Sequence, residues 1–206
     1  MKYKKIIRVN NPLFLLGKVI DLFLSFLVTE YIRIVRKVKI GKHSIIYFRC
    51  LVVNTSNRRI IIGKNCKIGC SSNRYHAGMA FHTRLLNVGV NSEIVIGDNC
   101  RINGVSIHAE GGVFIGNKCV MASGVNIMDS NGHKVYSSDR TIGRDNPKPI
   151  RIGNNVWIGV NSIILKGTEI GDNCIVAAGS VVKGIFPDNV IISGNPAVIV
   201  KKMDDM

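Results

Sequence analysis

Large aliphatic residues recur at every sixth position through the second half of the chain. The longest run is Ile152, Ile158, Ile164, Ile170, Val176 and Val182, and a shorter run is Ile115, Met121 and Ile127. Two positions before the large residues stand smaller ones, in the longest run Val156, Ser162, Thr168, Cys174 and Ser180. Because side chains alternate along a strand, residues two apart share a face. The pattern predicts short strands that each direct one large and one small side chain inward.

Near-copies of one hexad show what separates these strands. Each continues from an aliphatic residue into Gly and then a polar pair rich in Asn, and the copies begin at Ile62, Ile96, Ile115, Ile152 and Ile170. Gly and Asn tolerate positive φ, so we interpret the polar part as a corner. The copies at Ile152 and Ile170 lie 18 residues apart and those at Ile96 and Ile115 lie 19 apart, so three hexads make one coil. Coils that bury their inner faces only against their neighbours predict a parallel β-helix.

The hexads stop between residues 128 and 149, where the chain becomes polar. A solenoid accommodates an insertion only on its outside, and loops of this kind often contain functional residues. The segment includes one histidine, His133, six residues after Ile127. This spacing predicts that His133 continues the wall of the coil while the loop after it projects outward.

Residues 1–42 form a separate, strongly basic segment. They contain ten Lys or Arg residues and two acidic residues, a net charge of +8. From Leu13 to Val35 the polar residues recur every three or four positions, which predicts a helix with one narrow polar stripe of Lys18, Asp21, Ser25, Thr29, Arg33 and Arg36. Its apolar runs are too short to span a bilayer. Two hypotheses stay open: the helix packs on the protein or a sister subunit, or it lies on an anionic membrane.

The composition narrows the function classes. The chain has 206 residues, 46% of them hydrophobic, and a net charge of +15, so it is not a disordered chain. Such a charge suits nucleic acid, an anionic membrane or a phosphate-bearing ligand. Outside the N-terminal segment the basic residues are spread without an aromatic-interleaved strip, which disfavours nucleic acid. The length also leaves no room for a nucleotide-binding domain before the coils.

The cysteines follow the hexads. Four of the six occupy the small inward position, namely Cys66, Cys100, Cys119 and Cys174. There Cys behaves as a compact hydrophobe, so these residues are expected to pack rather than to react. With no secretory cleavage site after the apolar stretch, we expect free thiols and a reducing cytoplasm.

The hexads resemble those of the hexapeptide-repeat transferases. The segment 129–133, Asp-Ser-Asn-Gly-His, and the segment 148–159 after the loop resemble the family's acetyltransferases for galactosides, maltose and surface polysaccharides. The resemblance implies an all-β solenoid, a left-handed parallel β-helix over residues 43–203 with a protruding loop at 128–149. The amphipathic helix of residues 1–42 would precede it, and a short cap would follow the turn Gly194-Asn-Pro-Ala. The left-handedness comes from the resemblance alone, since spacing fixes only the period.

The same resemblance implies a set of site residues. His133 would be the general base, with Asp129 or Asn131 fixing its tautomer, and the backbone at Gly159 and Val160 would donate to the oxyanion. Acetyl-CoA would lie in a groove between subunits. The positions that match its contacts are Gly159, Ala177, Ala178, Lys183, Lys201 and Lys202. Lys183 stands one position earlier than the family's lysine, which is a departure from the pattern.

Three further residues are candidates for the acceptor pocket. Asn103 and His108 lie one or two coils before His133, and His108 is expected at an inward hexad position. Trp157 is expected either to contact the substrate or to shield a subunit contact. The related γ-type carbonic anhydrases bind zinc through histidines that include a pair four residues apart, and this chain has no such pair. No metal is therefore expected.

These observations lead to one expected function and two alternatives. The resemblance implies an acetyl-CoA-dependent O-acetyltransferase that modifies a sugar hydroxyl in a surface glycan or its lipid-linked precursor and works as a homotrimer. We expect it in the cytoplasm, with a peripheral position at the membrane left open. The alternatives are N-acetylation of a sugar-nucleotide amine and a non-catalytic β-helix that serves assembly.

Overall fold

The computed structural model describes residues 12–54, 59–70, 75 and 77–203. Within these residues a helix, α1 (Pro12–Ile34), precedes a series of short strands. In chain order the strands are β1 (Lys39–Ile40), β2 (Ile45–Ile46), β3 (Leu51–Asn54), β4 (Arg59–Ile62), β5 (Lys67–Ile68), β6 (Arg84–Asn87), β7 (Glu93–Ile96), β8 (Arg101–Ile102), β9 (Ser106–Ala109), β10 (Gly112–Ile115), β11 (Val120–Met121), β12 (Asn126–Met128), β13 (Ile150–Ile152), β14 (Trp157–Ile158), β15 (Ile163–Leu165), β16 (Glu169–Ile170), β17 (Ile175–Val176), β18 (Val181–Val182), β19 (Ile185–Phe186), β20 (Val190–Gly194) and β21 (Ala197–Lys202).

The strands form three sheets, and each of the first six coils gives one strand to each sheet. Sheet A has the order β1-β4-β7-β10-β13-β16-β19, sheet B the order β2-β5-β8-β11-β14-β17-β20-β21, and sheet C the order β3-β6-β9-β12-β15-β18. Paired strands are parallel, except that β21 returns antiparallel along β20. The chain therefore passes through A, B and C and returns one layer further along the axis. The predicted left-handed parallel β-helix is confirmed, as are its N-terminal helix and C-terminal cap.

The predicted inward columns are present. In sheet A, Ile96 aligns with Ile115, which aligns with Ile152 in the next coil. Every member of the long aliphatic run is at most 4% exposed, and the small residues before them are buried as well. Since each coil has only its two neighbours to pack against, these columns form one continuous hydrophobic core along the axis.

The cysteine column joins successive coils. Each of its four thiols lies within 3.1–3.2 Å of a backbone carbonyl oxygen in the next coil, to which it donates, at Gly97, Gly116, Gly153 and Pro187 in turn. Burial raises the pKa of the Cys174 thiol above its ordinary value, which favours the protonated donor. All six cysteines are free. These thiols are packing groups, as the hexad position predicts.

The hexad glycines have a different role from the one expected. The residues with positive φ at these corners are mostly asparagines, among them Asn65, Asn99, Asn155 and Asn173. The glycine two positions earlier is instead required by close approach between coils. A Cβ on Gly116 would lie 2.6 Å from the carbonyl oxygen of Gly153. Stacked corners touch backbone to backbone, and a side chain would separate them.

The helix α1 closes the open end of the first coil with its polar stripe. Strand β2 uses the amides of Ile45 and Tyr47 to pair with the second coil, so the amide of Ile46 points to the open end. Thr29 Oγ1 accepts from the Ile46 amide at 2.9 Å, and Ser25 Oγ accepts from the Phe48 amide at 3.2 Å. The hydroxyls thus satisfy the free edge of sheet B, which would otherwise lack partners.

The opposite side of α1 is apolar and open. Ser25 and Thr29 are buried, whereas Phe23 is 61% exposed and Ile34 is 72% exposed. In the part of the chain that the structure describes, no helix has the length and hydropathy to cross a membrane. Residues 1–11 of the predicted basic segment lie outside the described residues. The face of α1 toward the first coil therefore combines the hydroxyls of Ser25 and Thr29 with the buried side chain of Ile32, and the opposite face is apolar and exposed.

Replacing Gly116 by Ala tests the backbone contact between corners. The added methyl group would overlap the backbone of Gly153, so we expect a loss of about 1–3 kcal/mol in the free energy of unfolding. Chemical denaturation measures this loss. Val120→Ala, which shortens an exposed side chain on the next strand, is the control, and equal stability of the two variants would contradict the role given to the glycine.

Replacing Thr29 by Val tests the hydroxyl cap on the first coil. The change keeps the shape but leaves the Ile46 amide without its acceptor, which costs about 1–3 kcal/mol for a buried group. Hydrogen exchange at Ile46 should become faster. Thr29→Ser retains the hydroxyl and should exchange like the parent chain; protection that survives in the valine variant would show that the hydroxyl is not the partner.

Candidate active site

The long loop begins and ends at one buried carboxylate. Asp129, which follows β12, is fully buried, and its two oxygens accept from the backbone amides of Glu110, Gly111 and Gly112 at 2.6–2.8 Å. Its own carbonyl oxygen accepts from the amide of Lys148, just before β13. Both ends of the loop are therefore tied to one turn of the preceding coil, at the corner between sheets C and A, which we name the C–A corner.

A second tie lies further along the loop. The carboxylate of Asp145 pairs with the ammonium of Lys166 and accepts from the Asn131 amide at 3.1 Å. The hydrogen bond from Lys166 holds the pKa of Asp145 below its ordinary value, which favours the charged carboxylate. Arg144 adds an ion pair with Glu110 at 3.1 Å. The loop thus makes ion pairs with residues of two coils.

His133 lies in this loop, is exposed, and is held by the loop itself. It does not continue the coil wall as its spacing predicts, because β12 ends at Met128 and β13 begins only at Ile150. Its Nδ1 atom is 2.8 Å from the carbonyl oxygen of Arg140. A carbonyl oxygen can only accept, so Nδ1 bears the hydrogen and Nε2 of the neutral ring presents a lone pair. That is the form a proton acceptor needs.

The contacts of the Asp129 carboxylate and of the Asn131 backbone amide do not involve His133. The carboxylate of Asp129 contacts the 110–112 turn, and the backbone amide of Asn131 contacts Asp145. The structure therefore places both residues at the base of the loop, where they fix its path, while the Arg140 carbonyl contacts the imidazole.

The inward placement of His108 is wrong. In β9 the neighbours Ile107 and Ala109 are buried, whereas His108 is half-buried on the outer face of sheet C. The registers explain this: Ile107 aligns with Ile127, which occupies the inward column, and His108 aligns with Met128. His108 lines a depression of about 700 Å³ beside the base of the loop, together with Val88, Val90, Glu110, Arg144 and Pro147.

Three of the predicted CoA residues lie together at the corner between sheets B and C, the B–C corner. Gly159 follows β14, and Ala177 and Ala178 follow β17 one coil further on. The two corners are so close that a Cβ on Gly159 would lie 2.6 Å from the amide nitrogen of Ala178. The Gly159 amide already donates to the carbonyl of Val176. Gly159 and Val160 are the predicted oxyanion donors, and only the Val160 amide lies outside the hydrogen bonds between coils.

The remaining predicted residues are dispersed over the surface. Asn103 lies at the B–C corner, and Lys183 lies at the C–A corner in a depression of about 420 Å³ that Lys134, Tyr136 and Lys166 also line. Trp157 is 54% exposed on the outer face of sheet B. Lys201 and Lys202 are exposed on the last strand. One chain thus holds His133 and the Gly159 group at opposite edges of sheet C.

Sequence reasoning missed the residues that hold the loop. Arg140, Asp145 and Lys166 have no position in the hexad pattern that would single them out, and Lys166 and Asp145 are 21 residues apart. The polar character of the loop was the available signal, but it does not show which groups meet. Within residues 12–54, 59–70, 75 and 77–203, no three His, Cys, Asp or Glu side chains are grouped so as to hold a metal ion.

Comparisons with known proteins agree with this architecture. The family model "Hexapeptide repeat of succinyl-transferase" matches residues 93–128 and 149–183, on either side of the loop. A solved structure of a galactoside acetyltransferase in complex with coenzyme A superposes with a TM-score of 0.58 and 23% identity, covering 98% of this chain and 86% of the other. A likeness at this identity shows a common fold.

Two relatives from Escherichia coli K12 are similar in sequence. The galactoside O-acetyltransferase is 39% identical over 93 residues, which is 45% of this chain and 45% of that protein. A second protein, WbbJ, named provisionally as a lipopolysaccharide biosynthesis O-acetyl transferase, is 33% identical over 187 residues, 84% of this chain and 88% of its own length. The chain thus spans less than half of the first relative and most of the second. It belongs to the hexapeptide-repeat acetyltransferase family.

Proposed function

We propose that this protein is an acetyl-CoA-dependent O-acetyltransferase with His133 as its general base. The acceptor in this proposal is a sugar hydroxyl in a surface glycan or its lipid-linked precursor. The observation that carries the proposal is the exposed imidazole whose Nδ1 is held by the Arg140 carbonyl, which leaves Nε2 as the proton acceptor. The sequence relationship with two proteins named as O-acetyltransferases supports the choice of a hydroxyl acceptor.

The reaction needs a base because a sugar hydroxyl is a weak nucleophile at neutral pH. Nε2 of His133 takes the hydroxyl proton as the acceptor oxygen attacks the thioester carbon of acetyl-CoA. The tetrahedral intermediate collapses with cleavage of the carbon–sulfur bond, and the proton passes from Nε2 to the leaving thiolate. The Arg140 carbonyl keeps the ring in one orientation through both proton transfers.

The B–C corner suits the thioester end of acetyl-CoA in this scheme. Gly159, Ala177 and Ala178 leave a corner with no bulky side chain, and the Val160 amide is assigned as the oxyanion donor. Lys201, Lys202 and Lys183 are exposed cations near the last coils, where they could meet the phosphates of CoA. Asn103, His108 and Trp157 are assigned to acceptor contacts.

The proposed active unit is a homotrimer. His133 and the Gly159 group lie at opposite edges of sheet C in one chain, so a second copy has to supply one of them. The loop has exposed apolar residues with no cover in the described part of its own chain, Val135, Tyr136 and Ile142. A neighbouring coil stack would bury them and bring His133 to its B–C corner.

Replacing His133 by Ala tests the proposed base. We expect kcat for sugar acetylation to fall by about 10²–10⁴-fold, the usual contribution of a general base. Thiol release from acetyl-CoA measures the rate, and light scattering checks that the oligomer is unchanged. His43→Asn removes a histidine of the first coil and should retain the parent rate. Turnover that persists in the alanine variant would overturn the assignment.

The same assay separates the alternatives. Thiol release with amino sugars, but not with sugars that offer only hydroxyl groups, would replace O-acetylation with N-acetylation. Absence of both thiol release and CoA binding in the parent chain would favour a non-catalytic β-helix.

Replacing Asp129 by Asn tests whether this carboxylate positions the loop. The amide offers one acceptor oxygen where the carboxylate offers two, and its NH₂ group would face backbone donors. We expect kcat to fall roughly 10- to 100-fold because the base is displaced. Faster hydrogen exchange at Glu110 to Gly112 should accompany the loss. Glu169→Gln, which changes an exposed carboxylate on β16 outside the loop, is the control; unchanged exchange in the Asp129 variant would exclude the positioning role.

A further inference from the structure

The outer side of α1 has the regularity of a binding surface. Leu16, Ile20, Phe23, Leu27 and Ile34 are separated by four, three, four and seven positions, so they form one stripe along the helix. Each is between 47% and 72% exposed. This outer stripe lies opposite Ser25 and Thr29, which face the first coil. About half or more of each of these apolar side chains stays exposed to water in the folded monomer, which is unfavourable.

Cationic residues lie beyond both ends of the outer stripe in the sequence. Arg36, Lys37, Lys39 and Lys42, just after the helix, are all exposed. The acidic Glu30, on the same side of the helix as the stripe, is paired with Arg33. The sequence ahead of the helix adds Lys2, Lys4, Lys5 and Arg8. An apolar stripe within a segment of net charge +8 matches a surface that is apolar inside and anionic outside.

We propose that the outer stripe of α1 docks on the surface of an anionic lipid bilayer. The helix would lie in the plane of the interface, with Phe23 and Leu27 among the acyl chains and the cations among the headgroups. The bonds from Ser25 and Thr29 to the first coil would stay intact, because these residues lie on the other side of the helix. The helix joins the β-helix to the membrane without spanning it.

The charge argues against a second copy as the occupant. Self-association through the outer stripe would bring two segments of +8 together in a region where the acidic residues are only Asp21 and Glu30. Like charges at that density repel at physiological ionic strength over about 8 Å. An anionic bilayer offers both the apolar cover and the counter-charge. The inference does not depend on the reaction proposed for His133.

Flotation of the full chain with vesicles tests the proposal. The probes are vesicles of phosphatidylcholine alone and of phosphatidylcholine mixed with phosphatidylglycerol. We expect binding to the anionic vesicles, weaker binding to the neutral ones, and a loss of binding at high salt. The double variant Phe23→Ser, Leu27→Ser keeps the charge and should reduce the partition coefficient by about tenfold or more, since two apolar side chains lose their burial.

The control removes apolar groups at the other end of the coil stack. Ile185 and Val198 are also exposed, so Ile185→Ser, Val198→Ser should float like the parent chain. Circular dichroism and thermal unfolding confirm that each variant is folded. Absence of binding to anionic vesicles overturns the proposal, as does equal flotation of the Phe23, Leu27 variant. Lipid-free association that this variant abolishes would assign the stripe to a second copy instead.

Discussion

Backbone contact between stacked corners is the constraint on which the remaining structure depends. A Cβ on Gly63, Gly97, Gly116 or Gly153 would lie within about 2.7 Å of the next corner, so adjacent coils can approach to the normal spacing of a parallel sheet only if these positions have no side chain. Once the corners are in register, every other position repeats along the axis. The aliphatic residues, the thiols and the asparagines each become a column, and the chain needs only short strands to build a continuous core.

The same stack explains how a long loop can hold a reactive side chain in place. Three amides of one turn converge on Asp129, and Lys166 from the next coil reaches Asp145, so the loop is braced from two layers whose spacing is fixed. The Arg140 carbonyl then orients the imidazole of His133 within the braced loop. His133 is exposed and lies outside the coil wall. Its position is still defined, because the coils that hold Asp129 and Asp145 are rigid.

The hexad periodicity of the sequence predicts the repeating parts of the structure, and it fails for residues that depart from the repeat. The hexads predicted the strands, the inward columns and the place where the loop begins, since each follows from local alternation. They placed His108 inward because the strict spacing fails near Gly104, where Ile107 takes the column position. Contacts such as Arg144 with Glu110 join residues 34 apart and depend on how a loop folds over a finished coil. The polar stripe of α1 was visible in the sequence, but the edge of β2 that it satisfies exists only once the sheets have formed.

The fixed spacing between coils also sets the distance from the helix end of the stack to the layer that the loop leaves. The loop leaves the fourth coil, so three spacings of about 4.8 Å each separate its layer from the first coil, and α1 adds about 10 Å beneath. Whatever surface lies under the helix, the layer that the loop leaves lies roughly 25 Å above it. Inserting or deleting one coil between β3 and β10 would change that distance by one spacing and leave the loop chemistry intact. The number of coils ahead of the loop therefore sets the distance between the helix end of the stack and the loop. An acceptor hydroxyl has to reach that distance from any surface under the helix.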